Sequence, residues 1–444
     1  MDVGTFDTQI PVLGEAKITS PIRKIKKRTF GFVSDDERVP VDSDLHKLRE
    51  RFAKNMEIPS FERAGPREKI YFDTSKLRCA LVTCGGLCPG LNDIIRAIVL
   101  ELNHSYRVRN IYGIRHGLEG FIPEFGRDVV DLNPDVVVNI HEMGGTILGS
   151  SRGPQDIEEI VDSLERMNIG ILFMIGGDGT LLAASKITDA ILERNLKISV
   201  VAIPKTIDND IHMVSRSFGF HTAVEIATEA IKAAHNEAQG YPYGIGLIKL
   251  MGRYAGFIAA TAALARQDVN FVLIPEVDFD LKGENGFLQA LEDRILERGH
   301  AVIVVAEGAG QKFFEGREDE YDPSGNIRLK DIGLFLKDSV MGWFSEKDID
   351  ITLKYIDPSY MIRSLPANAS DRVYCGFLGR NAVHAGMAGK TRLLIGRWNE
   401  QFVHVPMSAS TGRRKKVDYD GRLWLSVMDV TGQGAMKNSP EAKS

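Results

Sequence analysis

Cysteine is scarce in this chain: Cys79, Cys84, Cys88 and Cys375 are the only four in 444 residues. So few thiols argue against a disulfide framework and fit a reducing cytoplasm. Cys84 and Cys88 have a ligand-like spacing, but no second His or Cys pair lies nearby in sequence, so packed thiols are expected rather than zinc. Long apolar runs are also missing. None approaches the roughly 20 residues of a membrane span, and Met1 to Ser20 carries acids and has no compact apolar stretch, unlike a secretory signal. Charge of one sign is not in large excess, and the net −5 gives nucleic-acid binding no support. What is present is a 43% hydrophobic composition, enough for a large core divided between two domains.

Residues 1–75 read as polar and irregular, with a basic cluster at Arg23–Arg28 and an acidic patch at Asp35–Glu37. A solvated extension, or a clamp on a neighbouring subunit, is expected there. From Leu77 onward, short apolar strands alternate with amphipathic helices. Arg78–Thr83, Gly170–Ile175 and Ile198–Ile203 read as strands, and Leu91–Leu102 and the face Ile157, Ile160, Val161, Leu164 as helices. A second unit begins near Phe218, with strands at Gly246–Leu250, Phe271–Ile274 and Ala301–Ala306 and helices at Thr222–Gln239, Ala255–Ala265 and Phe287–Arg298. This rhythm predicts an α/β fold of two doubly wound, Rossmann-like parallel-sheet domains with an N-terminal extension. Gly310–Arg328 reads as a surface loop, and the tail beyond Thr411, with Arg413–Lys416, as irregular or partly exposed.

In such a fold, ligands sit at the carboxyl ends of the strands, and the glycine turns fall there. Gly176-Gly177-Asp178-Gly179-Thr180 places a carboxylate among glycines behind one buried strand. Glycines let backbone amides approach phosphate, and Asp178 is a natural magnesium carboxylate. Pro204-Lys205-Thr206-Ile207-Asp208-Asn209-Asp210 follows the next strand. Asp208 is suited to take a proton from an attacking alcohol, and Asp210 to orient a cation or an arginine. Gly85-Gly86-Leu87-Cys88-Pro89-Gly90-Leu91-Asn92 favours an anion at a helix N-terminus, without the Lys-Ser/Thr ending of a P-loop. Gly144 to Gly153 adds Arg152, able to neutralise a transferring phosphoryl group. In the second half, Met251-Gly252-Arg253, Ala306-Glu307-Gly308 and Ser359-Tyr360-Met361-Ile362-Arg363 recur at strand ends. Two arginines and a tyrosine suit a sugar phosphate, and Glu307 can accept from sugar hydroxyls.

Taken in order, G-G-x-x-P-G-x-N, G-x-x-L-G-[ST]-S-R, G-G-D-G-T, P-K-T-I-D-N-D, M-G-R, A-E-G and P-S-Y-x-I-R resemble the 6-phosphofructokinase family over Leu77 to Trp398. Ala64 to Phe72 and the chain length further resemble its long-extension group from plants, trypanosomes and some bacteria. The resemblance implies phosphoryl transfer to the 1-hydroxyl of fructose 6-phosphate, with ATP as co-substrate and Mg2+ as cofactor. It assigns residues 76–218 and 362–411 to the donor domain, 219–361 to the fructose 6-phosphate domain and 412–444 to a C-terminal segment. By position, Asp208 matches the proton acceptor, with Thr206 also among the catalytic residues, and Thr206, Ile207 and Asp208 all match substrate contacts. Asp178 matches the magnesium ligand, and Gly86, Arg152, Gly153, Gly177, Asp178, Gly179 and Thr180 match the donor site. Met251, Gly252, Arg253, Glu307, Tyr360 and Arg363 match the sugar-phosphate site, with Arg253 also among the catalytic residues. Lys354 stands where short bacterial enzymes place an arginine from the adjoining subunit, which implies a homotetramer, or second a dimer. An allosteric, cytoplasmic enzyme acting on neither nucleic acid nor membrane is the corresponding expectation.

The pattern departs from the short enzymes at Gly244, where they carry another inter-subunit arginine, and at Tyr360, where they carry histidine. Lys249 is then a candidate for part of the 6-phosphate contact. Donor choice rests on Gly179 and Lys205. Gly179 stands where pyrophosphate users carry an aspartate that obstructs the nucleotide, so ATP is sterically admitted. Lys205 is shared with those pyrophosphate users. The steric requirement carries more weight, and the long-extension group pairs this glycine with lysine in ATP users. Pyrophosphate dependence, a silent sugar-phosphate-binding subunit and a nucleotide or lipid kinase sharing G-G-D-G-T are the alternatives.

Overall fold

Ile-Leu-Phe-Met-Ile-Gly forms strand Ile171–Gly176, and Ser-Val-Val-Ala-Ile-Pro forms strand Ser199–Pro204, each buried at every residue. Unbroken burial of β-branched residues marks strands covered on both faces, as parallel sheets require. The computed structural model describes residues 7–27, 29–314, 320–321 and 327–438. Two compact units divide the chain. The first takes Met1–Thr206, Ile211–Gly219 and Ser364–Arg414, and the second takes Ile207–Asp210, Phe220–Arg363 and Lys415–Ser444.

Among the described residues, the first unit carries a nine-stranded sheet. Its centre runs Leu393–Trp398, Ser199–Pro204, Ile171–Gly176, Arg78–Thr83 and Asn110–Ile114, all parallel to their neighbours. The edges turn antiparallel. Val129–Asp131 closes one side, and Gln401–Pro406, Ser60–Arg63 and Arg38–Pro40 extend the other. Helix Ile157–Arg166 starts where the Asp156 side chain accepts from the Glu159 amide, and it buries Ile160, Val161 and Leu164 as its spacing predicts. Helix Ala369–Met387 begins in the same way at Asn368.

Among the described residues, the second unit carries a sheet of four strands, all parallel, in the order Phe271–Leu273, His300–Ala306, Gly244–Leu250, Thr352–Ile356. Its core joins Leu247, Ile303 and Val305 to Phe279, Phe287 and Phe344. The parallel centre of the first sheet and the parallel strands of the second, each with helices, bear out the expected α/β class.

Two expectations are corrected. The segment before residue 75 is not wholly irregular: Arg38–Pro40 and Ser60–Arg63 extend the large sheet. A buried ionic cluster fixes it, with Glu62 accepting from Arg67 at 2.5 Å, Lys390 at 2.7 Å and His404 Nδ1 at 3.1 Å. Burial opposes the Glu62 charge, but His404 and Lys390 hold its carboxyl well below the usual range. The tail also folds, as helix Arg422–Thr431 with Trp424 and Val427 buried. Gln433 exchanges side-chain hydrogen bonds with the Val272 backbone in the second unit. Of the expected loop Gly310–Arg328, residues 315–319 and 322–326 lie outside the described residues.

Candidate active site

In the first unit, the sharp exit from strand Ile171–Gly176 puts Asp178 at the first position of helix Asp178–Glu193, with Gly177 as its cap. The helix dipole favours negative charge at that end. Asp178 Oδ2 lies 3.1 Å from Arg414 Nε, both side chains 31% exposed, so the carboxylate stays accessible beside a cation. Thr180 is buried in the same turn, whereas Gly179 is exposed, and a Cβ added at Gly179 would meet nothing within 4 Å. The open space at this position lies outside the protein's own packing.

Hydrogen bonds are among the contacts that hold Gly85 and Gly86, at the start of the glycine turn 85–90. Lys205 Nζ donates to the Gly86 carbonyl at 2.6 Å, Ser150 Oγ donates to the Gly85 carbonyl at 2.7 Å, and the Gly85 amide donates to the Ser151 carbonyl at 3.1 Å. Asn92 accepts from the Ile147 amide and donates to the Met143 carbonyl, joining this turn to the loop that carries Arg152 and Gly153. The structure therefore brings together Gly86, Lys205 and the Ser150–Ser151 part of that loop. Arg152 is exposed on its loop.

In the second unit, Asp208 and Asp210 share a short turn with Asn209, whose φ of +56° lies in the left-handed region. Asparagine tolerates that conformation better than most residues. Asp208 accepts a hydrogen bond from the Arg253 amide. Burial, then the charges of Asp210 and Glu307, push its carboxyl up to about 8 against the opposing pull of Arg253. Burial likewise raises Glu307, with Arg253, Lys249 and Arg363 opposing. The turns bearing Arg253 and Glu307 pack backbone to backbone. A Cβ at Gly308 would lie 2.0 Å from the Arg253 carbonyl oxygen. Gly252 has φ +136°, and a Cβ there would lie 2.7 Å from the Ala255 oxygen. Met-Gly-Arg and Ala-Glu-Gly thus form one joint at the ends of adjacent strands Gly244–Leu250 and His300–Ala306.

The remaining expected contacts are more dispersed. Tyr360 is 74% exposed, and its ring lies 4.9 Å from the Arg363 guanidinium carbon. Lys354 stacks over Tyr241 at 5.0 Å. Thr206 ends the first unit's stretch and Ile207 begins the second's. Lys249, the candidate for part of the 6-phosphate contact, is ion-paired with Asp331 and Asp357, each at 2.8 Å. Gly244 has a steric cause: a Cβ there would lie 2.0 Å from the Ala238 oxygen, so no side chain fits. Sequence reading missed Arg414 beside Asp178 and Lys415 beside Asn209, although the run Arg413–Lys416 was visible as a basic cluster.

Residues 78–386 match the family described as Phosphofructokinase. The chain is 51% identical over 440 residues to the ATP-dependent 6-phosphofructokinase of Borreliella burgdorferi, covering 98% of each chain. It is 47% identical over 440 residues to that of Amycolatopsis methanolica, covering 97% of this chain and 95% of the other. It is 41% identical over 434 residues to that of Trypanosoma brucei brucei, covering 96% of this chain and 87% of the other. Among solved structures, a pyrophosphate-dependent phosphofructokinase from Marinobacter aquaeolei is similar in fold. The TM-score is 0.66 at 21% identity, over 82% of this chain and 92% of the other. With the glycine-framed Asp178 turn and the Asp208 turn on parallel-sheet units of this kind, the chain belongs to the phosphofructokinase family.

Proposed function

We propose that this protein is a 6-phosphofructokinase that transfers the γ-phosphoryl group of ATP to the 1-hydroxyl of fructose 6-phosphate, giving fructose 1,6-bisphosphate and ADP. The observation that carries the reading is the Asp208 carboxylate, whose proton affinity is raised by its surroundings and whose position is set by the Arg253 amide. A base near the working pH is what deprotonation of a sugar hydroxyl asks for.

The C1 hydroxyl gives its proton to Asp208 as its oxygen bonds to the γ-phosphorus, and the bond from that phosphorus to the β-phosphate bridging oxygen breaks. Arg253 and Arg363 bind the anionic sugar phosphate, and Glu307 accepts from its hydroxyls. Met251, Gly252, Tyr360 and Lys354 complete that contact surface, with Thr206 and Ile207 flanking the base. In the first unit, Gly86, Arg152, Gly153, Gly177, Gly179 and Thr180 receive the donor phosphates and nucleotide. Transfer of this kind depends chiefly on positioning and charge neutralisation.

A magnesium ion fits the donor set, since Mg2+ takes one or two carboxylates with phosphate oxygens and water. Asp178 would offer one such carboxylate, with Arg414 beside it at 3.1 Å. The ion supplies charge neutralisation on the donor phosphates.

ATP is favoured over pyrophosphate because Gly179 leaves room for the nucleotide. Lys205, the residue shared with pyrophosphate users, is a strut under the Gly86 carbonyl, so its presence is accounted for without a donor role. Assay of the purified protein with fructose 6-phosphate and each donor tests this. Turnover with ATP and little with pyrophosphate is expected, and the opposite would sink the reading. A homotetramer under allosteric control is part of the proposal, on the resemblance and on Lys354, and sedimentation as a monomer would remove the shared-subunit component. A cytoplasmic setting fits four buried thiols without a disulfide.

A further inference from the structure

Resting on that reading, the geometry points to Lys415, in the C-terminal segment, as a positioning residue for the general base Asp208. Lys415 grips the turn between the two carboxylates at successive residues. Its Nζ donates to Asn209 Oδ1 at 3.0 Å, and its backbone amide donates to the Asp210 carbonyl at 2.7 Å. Asn209 lies between Asp208 and Asp210 with φ +56° and is buried. A left-handed residue costs free energy unless its surroundings hold it, and here the surroundings include a lysine that arrives 206 residues later in the chain.

The grip has its own footing. The ammonium lies 5.1 Å from the Phe257 ring centroid, at the start of helix Phe257–Arg266, a cation–π distance. Two residues on, Val417 is buried and its amide donates to Glu276 Oε1 at 2.8 Å. The same carboxylate accepts from the Gly256 amide at the cap of that helix. The segment is thereby anchored at Lys415 and two residues beyond it. Burial pushes the Lys415 ammonium down to about 8, while Asp210 pulls the other way.

Two effects on the base follow. The hydrogen bonds hold the Asp208–Asn209–Asp210 backbone, and thus the direction of the Asp208 carboxylate. The ammonium also offsets Asp210, whose charge is one of the groups raising Asp208. The charged groups that act most strongly on Asp208 include Asp210, Glu307 and Arg253, and the Lys415 ammonium lies beside the same turn and interacts with Asp210. Removing the positive charge therefore drives the Asp208 proton affinity higher still.

Lys415→Met keeps the apolar stem and removes both charge and donor. The expected result is a kcat lower by about ten- to a hundredfold, with KM for fructose 6-phosphate changed less than about threefold and the acid limb of kcat/KM moved to higher pH by roughly half a unit. Lys415→Arg, which keeps the charge, is expected to restore the position of the acid limb and most of kcat. A folded Lys415→Met protein with wild-type kcat and an unmoved acid limb overturns the inference, as does an arginine variant displaced as far as the methionine one. If Lys415→Met does not fold, Asn209→Gly preserves the left-handed turn and deletes the acceptor. It is expected to lower kcat about tenfold at constant KM, and an unchanged kcat overturns the inference. An active wild type with an indifferent Lys415 ends this inference alone. A wild type inert toward fructose 6-phosphate with every donor ends the parent reading.

Discussion

Asp208→Asn should cost nearly all activity and at the same time make the unliganded protein more stable, increasingly so as pH rises. The carboxyl has an ordinary value of 3.8, and burial with Asp210 and Glu307 pushes it to about 8. The folded state therefore keeps a proton that the unfolded chain has already released. The sign follows directly: relative to acid conditions, stability is lost as pH climbs from about 4 toward about 8. At pH 7 the unfolded carboxyl is ionised by about three units, each worth about 1.4 kcal/mol, so the penalty at neutrality approaches about 4 kcal/mol. That figure is a ceiling, because Asp210 and Glu307 remain after the substitution. Asparagine has no such titration and still accepts from the Arg253 amide. At about 2–4 °C per kcal/mol for a unit of this size, the melting temperature should rise by several degrees at pH 7–8. The gap should vanish near pH 4. Melting curves of both proteins at pH 5, 6, 7 and 8 without ligands measure it, alongside kcat, which should fall by about 10²–10⁴. A gap that is constant with pH, or a variant that melts lower at pH 8, would refute the assignment of a strained, proton-retaining carboxylate.

Three further outcomes follow. Gly179→Asp should leave the melting temperature within a few degrees, since an added Cβ meets nothing within 4 Å and a carboxylate suits a first helical turn. It should lower kcat/KM for ATP about a hundredfold or more through charge and bulk against the nucleotide, measured by donor titration, and unchanged ATP use would remove Gly179 from donor selection. Lys205→Met should raise KM for the donor and lower the melting temperature together, because the Gly86 carbonyl loses its buried partner at a cost of about 1–3 kcal/mol. A donor effect without any loss of stability would instead favour direct phosphate contact. Gly252→Ala should abolish binding of fructose 6-phosphate more than that of ATP. It strains a φ of +136° and drives a methyl into the Ala255 carbonyl, and equal loss of both ligands in calorimetry would argue against a localised defect.

Much of the candidate site could be read from the chain because its signals are local. A buried strand followed by a glycine-framed carboxylate is written in adjacent residues, and both Asp178 and Asp208 follow strands buried at every position. The helix faces were equally legible, as Ile160, Val161 and Leu164 show. What resisted reading was irregular in composition and tied by distant partners. Arg38–Pro40 and Ser60–Arg63 are short and polar on one side, and they become strands because Gln401–Pro406 offers an edge. The ion pairs of Lys249 with Asp331 and Asp357, far along the chain, were likewise invisible in the local sequence.

By itself the sequence determined the α/β rhythm, the turns that carry the chemistry and the residue types that suit phosphoryl transfer. Periodicity, glycine and the placement of carboxylates act over a few neighbouring residues, so they are visible in a one-dimensional string. Only the tertiary structure decided that Asp208 is buried with Asp210, Glu307 and Arg253 among its charged neighbours, that Lys205 donates to the Gly86 carbonyl, that a Cβ at Gly244 would meet the Ala238 carbonyl and that Lys415 bonds the Asn209 turn. Those are properties of burial and of charge at a few ångströms, and they exist only once segments hundreds of residues apart are packed together.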